Sequence, residues 1–370
     1  MRHTPTFKHR FIEPRLPPVS AYLELFQQIY DSGTFSNFGP VSRRFEAQIL
    51  AKYGDANECC VAAANATAGL SAALIAANVK GDVLVPAFTF PASSGAVRAA
   101  NLRPVIADVD EKTWALSVEI IARHCEASLP AAVMLVSPFG INHGFDEEIA
   151  FCLARGIAVV IDNAAGLGVP RKPRCTDLNL FEVFSLHATK AFAVGEGGLI
   201  FGHAERLQDI QSALNFGLGR GYQSKVNWGF NGKLSEFQAA IGLAQLDIID
   251  EAVRYRQEFA AAYLARLPTI LPGSASSSPW QCFPYLLSSK SAADQLEQRA
   301  AMAGIELRRY YRPSLSNWPE IDTAHACPVS ESLADRMCAL PVRATNDLAK
   351  RQEIVEALAS LIEQIEGNTE

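Results

Sequence analysis

With 370 residues, 49% hydrophobic and 19% charged, the chain can build one large core plus a smaller unit and is too apolar for a disordered polymer. A net charge of −6 and the absence of a dense Lys/Arg run argue against nucleic-acid binding. No run of about 20 uninterrupted apolar residues is present, residues 1–18 lack the apolar stretch of a secretory leader, and the eight cysteines show no paired metal spacing, so a reduced, cytoplasmic setting off the membrane is expected.

Leu23 to Tyr30 has a helical pattern stopped by Asp31-Ser32-Gly33, and a second begins at Gly39-Pro40, with Phe45, Ile49 and Tyr53 on one face before Gly54. An apolar run from Cys59 to Ala64 leads through Asn65-Ala66-Thr67 into an Ala-rich helix reaching about Asn78. Strand-length apolar runs follow at residues 83–85, 104–107, 132–136 and 157–161, separated by helical patterns at 94–100, 118–125 and 146–155. That alternation predicts βαβ units and an α/β fold with a mostly parallel sheet. Residues 162–180 read as a Gly/Pro/Arg loop, 180–186 and 199–201 as strands, and 234–267 as a long helical stretch. The Gly/Ser/Pro stretch 272–279 is the clearest compositional break. Beyond it, a strand at 282–287 and helices at 292–303 and 348–365 predict a smaller α+β unit, giving a large domain over 1–250 and a small one over 251–370.

The most informative stretch is Ser185-Leu186-His187-Ala188-Thr189-Lys190, followed by Gly195-Glu196-Gly197-Gly198. A lysine held at a strand edge can be desolvated, which lowers its pKa and frees the amine to attack a carbonyl, although an exposed lysine before a hairpin fits the same pattern. Asp162 ends an apolar strand, where open α/β sheets place ligands; a turn cap is the alternative. A carboxylate here, with a lysine 28 residues later, suits a heterocycle whose ring nitrogen stays protonated while its aldehyde is bonded to an amine, as in pyridoxal phosphate chemistry. Asn65-Ala66-Thr67 opens a helix whose first N–H groups can bind a phosphate or can simply be capped. Ser185 offers a further hydroxyl, and Phe90 offers a ring face or a core aromatic.

Together the motifs 34–40, 65–70, 86–90, 161–165, 185–198 and 229–236 make the chain resemble the DegT-like nucleotide-sugar aminotransferases, pyridoxal phosphate enzymes of fold type I, from about Ile12 to the C-terminus. The resemblance implies a three-layer architecture, Lys190 as the Schiff-base lysine and proton shuttle, and Asp162 as the pyridinium partner. It also implies Phe90 stacked on the ring, with Ala66, Thr67 and Ser185 on the phosphate, and Asn231 reaching that phosphate from the second subunit of a homodimer. An amino donor, usually glutamate in that family, and a nucleotide-linked keto-sugar would be the substrates. Arg220, Lys225, Lys233, Arg308, Arg309, Tyr310 and Tyr311 are candidates for the sugar's diphosphate, although solvated surface charge is the commoner reading for any one of them. Two departures stand out: Asn65-Ala66-Thr67 in place of the commoner Ser-Gly-Thr, and Ala165 where the family has Gln or His against the ring hydroxyl. Asn163 or a water is the expected substitute. Three rivals remain. A lyase of the same fold would carry histidine in place of Lys190, and a non-catalytic relative need not keep lysine, aspartate and phosphate loop together. A nicotinamide oxidoreductase needs a Gly-x-Gly-x-x-Gly that does not follow the first strand.

Overall fold

The computed structural model describes residues 7–141, 144–172, 174–269, 271–272, 275, 278–319 and 321–367. Part of the 272–279 stretch and the side chain of Arg220 lie outside the described residues.

Strands β1 (Glu58–Ala63), β2 (Asp82–Pro86), β3 (Arg103–Ala107), β4 (Ala132–Val136), β5 (Ala158–Asp162), β6 (Leu180–Ser185) and β7 (Gly198–His203) share one sheet. A short strand, β9 (Asp322–Thr323), completes the order β1-β7-β6-β5-β4-β2-β3-β9. Pairing is parallel from β6 through β9, whereas β7 runs antiparallel to both β1 and β6. Apolar side chains fill both faces because successive residues point to opposite sides of a strand. Val160 packs with Val61, Val183 and Ile200 beneath α3 (Ala66–Ala76), α4 (Ala92–Ala99) and α7 (Leu207–Ala213). Its neighbours Val159 and Ile161 pack on the other face with Ile121 of α5 (Val118–Ala127) and Ile149 of α6 (Asp146–Leu153). The rest of that face meets α2 (Pro40–Tyr53) and α8 (Glu236–Leu246) through Phe45, Ile49 and Leu243; α1 (Leu23–Ser32) packs outside α8. The three-layer, mostly parallel α/β fold expected from the sequence is therefore the one observed.

The helical stretch expected over 234–267 is two helices, α8 and α9 (Ile249–Arg266), broken at Asp247-Ile248. Ser235 caps α8 by accepting from the Gln238 amide. A second, antiparallel sheet pairs β8 (Cys282–Leu286) with β10 (Met337–Pro341), covered by α10 (Lys290–Met302), α11 (Pro328–Arg336) and α12 (Leu348–Glu366). Its core takes in Phe259 and Tyr263 of α9 and also Phe11, Phe88, Trp114 and Phe139 from earlier in the chain. The N-terminal arm and the loops above the large sheet thus pack directly against the C-terminal elements, and β9 returns to pair with β3.

Candidate active site

The carboxyl ends of β4 and β5 are level, with Asp162 opposite Val136, while β6 passes Asp162 at Val183 and runs two residues further to Ser185. Beyond β6 the chain closes a tight loop in which the Leu186 amide donates to the Gly197 carbonyl and the Ala188 amide to that of Gly195, which sits at φ +97°. The Lys190 amide donates back to the His187 carbonyl at 2.9 Å, which fixes the turn carrying the lysine. On the far side, β7 passes under the first turn of α3 so closely that a Cβ on Gly198 would stand 2.6 Å from the Asn65 carbonyl carbon.

These edges enclose a cavity of about 280 Å³ lined by residues of α3, the β2–α4 loop, β4, β5, the lysine loop and the C-terminal elements. Lys190 and Asp162 both line it, together with Ala66, Thr67, Phe90, Ser185, Tyr310 and Tyr311. Lys190 Nζ donates to Gln281 Oε1 at 2.9 Å. Burial pushes its pKa from 10.5 down to about 8, against the pull of Asp162 and Cys282. Asp162 is buried; its Oδ2 accepts from Ser93 Oγ at 2.7 Å and its Oδ1 from the Ala164 amide at 3.2 Å. Burial raises its pKa, opposed by those two donors and by Lys190. Asn65 caps α3, accepting from the Ala68 amide at 2.8 Å, and Ala66 and Thr67 face the cavity beside it. The cap reading of that motif is thus observed, and the cap leaves Ala66 and Thr67 on the cavity wall. Phe90 is 55% exposed and turned to the cavity, while Phe88, fully buried, is the core aromatic of the pair.

Other candidates lie elsewhere in the single chain. Asn231 is exposed and bridges to Asn215, to which Lys233 Nζ also donates at 2.9 Å. Lys225 pairs with Asp209 at 3.6 Å, Arg308 with Glu306 at 2.7 Å, and Arg309 with Asp294 at 2.7 Å. None of these five lines the cavity. Asn163 does not stand in for the residue missing at Ala165: its Nδ2 donates to buried Glu182 at 2.9 Å, and it is absent from the lining. Glu182 is tied in turn to Arg171, which also grips Glu58 with two 2.7 Å bonds.

Sequence reasoning missed several polar residues in the cavity lining and behind it, Ser137 among them. Ser93, near the start of α4 and bonded to Thr89 at 2.9 Å, orients the Asp162 carboxylate from behind the lining. His187 and Glu196, 3.4 Å apart, flank the lysine loop. Gln281 precedes a strand 91 residues after Lys190, and nothing local marks it.

A family model, the DegT/DnrJ/EryC1/StrS aminotransferase family, matches residues 20–359. The chain belongs to this family. Among curated relatives, the dTDP-4-amino-4,6-dideoxy-D-glucose transaminase of Shigella dysenteriae is 29% identical over 95% of this chain and 98% of its own. The structure of DesI in the presence of its TDP-sugar product superposes with a TM-score of 0.86 at 28% identity, covering 99% of this chain and 96% of that one. A family member from Brucella abortus shares the fold at a TM-score of 0.82 and 24% identity, over 94% and 96% of the two chains. This aminotransferase is thus a pyridoxal phosphate enzyme of fold type I, and its cavity fits that cofactor on its own evidence. A desolvated amine, a buried carboxylate, a helix N-terminus above a strand without a Cβ and an exposed aromatic face all converge on one space.

Proposed function

We propose that the enzyme transfers an amino group from L-glutamate to a keto group of a nucleotide-linked (dTDP- or UDP-) deoxy-keto-sugar, in the cytoplasm, for amino-sugar and lipopolysaccharide synthesis. The observation that carries this reading is the Lys190 amine and the Asp162 carboxylate opening into one cavity. With a pKa near 8, about a tenth of the Lys190 amine is free of its proton at pH 7, where an ordinary lysine has well under a thousandth. Lys190 Nζ would hold the aldehyde carbon of the cofactor. Once free, the same nitrogen would take the proton from the donor's α-carbon and carry it away from that carbon, acting as the proton shuttle of the transfer. Asp162, aimed by Ser93 and the Ala164 amide, would hold a proton on the ring nitrogen, and its burial favours sharing that proton. The N–H groups at the start of α3, with Thr67 and Ser185, would hold the phosphate, and Phe90 would cover the ring. When bound, the cofactor supplies the electron sink for the α-carbon.

Tyr310 and Tyr311 stand at the cavity for the sugar, and two chains would form a homodimer. In it, Asn231 would reach the partner's phosphate site, and Lys225, Lys233 and Arg308 would draw the diphosphate. The 28–29% relatives named for dTDP- and TDP-sugars support that substrate class. The test is spectroscopic. Glutamate alone should bleach the visible band of the lysine-bound cofactor, and a nucleotide-linked keto-sugar should restore it, with borohydride fixing the cofactor to the Lys190 peptide. An unchanged spectrum with glutamate, together with loss of water from a nucleotide-sugar, would establish a lyase instead.

A further inference from the structure

The residues that would hold the cofactor's aldehyde, ring nitrogen and phosphate leave its ring hydroxyl without a partner. Three anchors decide where that hydroxyl would lie, and the order of the sheet supplies the direction. The phosphate end belongs to α3, which follows β1; Lys190 follows β6; Asp162 ends β5. Across the sheet in the order β1-β7-β6-β5-β4, these anchors run one way, and β4 comes next. In pyridoxal phosphate the phosphate arm and the ring hydroxyl occupy the two ring positions on either side of the aldehyde-bearing carbon. With the phosphate held toward β1 and the ring nitrogen at Asp162, the hydroxyl edge would face β4.

Ser137 stands there, one residue past the end of β4, its amide donating to the Asp162 carbonyl at 3.0 Å. It lines the cavity, is only 4% exposed, and its Oγ has no hydrogen-bond partner among the described residues. Buried hydroxyls are nearly always satisfied, because one left unpaired loses its hydration without return. Its neighbours are unsuited to the contact, since Ala165 presents a methyl group and the Asn163 amide is turned to Glu182. We propose that Ser137 Oγ donates a hydrogen bond to the cofactor's ring hydroxyl oxygen, replacing the polar side chain that Ala165 lacks. One other hydroxyl borders this edge. Tyr311 stacks on Phe139, with ring centroids 5.2 Å apart, and its oxygen accepts from the Phe139 amide at 3.4 Å, leaving its hydrogen free to compete.

This inference rests on Lys190 and Asp162 holding the cofactor as proposed above, so borohydride mapping of the wild type comes first. A label away from Lys190 overturns that reading and this one together. With the label on Lys190, cofactor-free wild type, Ser137→Ala and Tyr311→Phe are titrated with pyridoxal phosphate and with its 3-deoxy analogue, which lacks the hydroxyl. Affinity is read by equilibrium dialysis and folding by thermal melting. A hydrogen bond to a partly anionic oxygen is worth roughly a factor of ten. Ser137→Ala should therefore lose about tenfold in affinity for pyridoxal phosphate, stay within about twofold for the deoxy analogue, and melt like the wild type. Equal weakening toward both ligands would make Ser137 merely structural, and undiminished affinity would remove its role altogether. A selective loss in Tyr311→Phe instead would give the contact to the tyrosine. Each of those results overturns the assignment to Ser137 while leaving Lys190 in place.

Discussion

Lys190→Met tests whether the reactive amine is desolvated by the fold itself. Methionine matches the lysine stem in length and cannot hold a proton. The displacement from 10.5 to about 8 is equivalent to about 3.4 kcal/mol at 1.36 kcal/mol per pH unit. Because Lys190 is partly open to solvent, about 1 to 3 kcal/mol is the realistic range. The sign follows from proton binding. Between pH 8 and 10.5 the unfolded chain keeps a proton that the folded chain has released, so wild-type stability rises with pH across that window relative to the variant. Below pH 8 both forms of the wild type are protonated and the full penalty applies. Losing the bond to Gln281 offsets this by about 1 kcal/mol, but equally at every pH, so it drops out of the slope. The assay is urea unfolding of cofactor-free protein at half-unit steps from pH 7 to 10.5, comparing midpoints of wild type and Lys190→Met. Stability curves that stay parallel throughout would refute a desolvated amine.

Asp162→Asn should still take up pyridoxal phosphate but lose about 100-fold or more in turnover, since a neutral amide cannot stabilise a protonated ring nitrogen; steady-state kinetics on cofactor-saturated protein would show it. Gly198→Ala would place a methyl 2.6 Å from the Asn65 carbonyl carbon and 2.8 Å from the Ala66 nitrogen, backbone atoms that cannot yield without shifting α3. Cofactor affinity, measured by dialysis, should fall at least about tenfold. Arg171→Met would leave buried Glu58 without its cation and Glu182 with only Arg174, 3.8 Å away, lowering stability by about 3 to 5 kcal/mol at pH 7 in a urea titration.

Elements governed by local pattern were legible from the sequence. The strand ending at Asp162 is an unbroken apolar run, and Asn65 and Ser235 announce helix starts because capping is a local interaction. Asp162, Lys190, Thr67, Phe90 and Ser185 could be assembled because each sits at a strand end or in the loop just beyond one, where an α/β sheet gathers its ligands. What could not be read depended on partners distant in sequence. Gln281 meets Lys190 only because α9 and the loop before β8 fold back over the cavity. There, buried Arg256 ties down the carbonyls of Trp280 and Gln281 at 3.0 and 3.3 Å. The two residues of β9 carry no strand signal of their own and owe their conformation to the exposed edge of β3. Asn163 is polar and adjacent to Asp162, yet strand alternation and the Glu182–Arg171 cluster turn it away from the cavity. Spacing along the chain identified the neighbourhood but not the direction of that side chain.

The antiparallel insertion of β7 has a further consequence during synthesis. β1 pairs with β7 and, through Ala63, with Lys233, all far along the chain: His203, opposite Glu58, follows it by 145 positions. At about 5–20 residues per second, the segment from Glu58 to Ala63 leaves the ribosome roughly 7 to 30 s before anything exists for it to pair with. During that interval an apolar strand with two thiols is unpaired along both edges, while β2 to β5 can already assemble beside it. The strand that leads into the first turn of α3 thus waits long for its partner, and the nascent chain is most prone to aggregate through it. A pause or a chaperone acting before residue 203 would protect this one segment above all others.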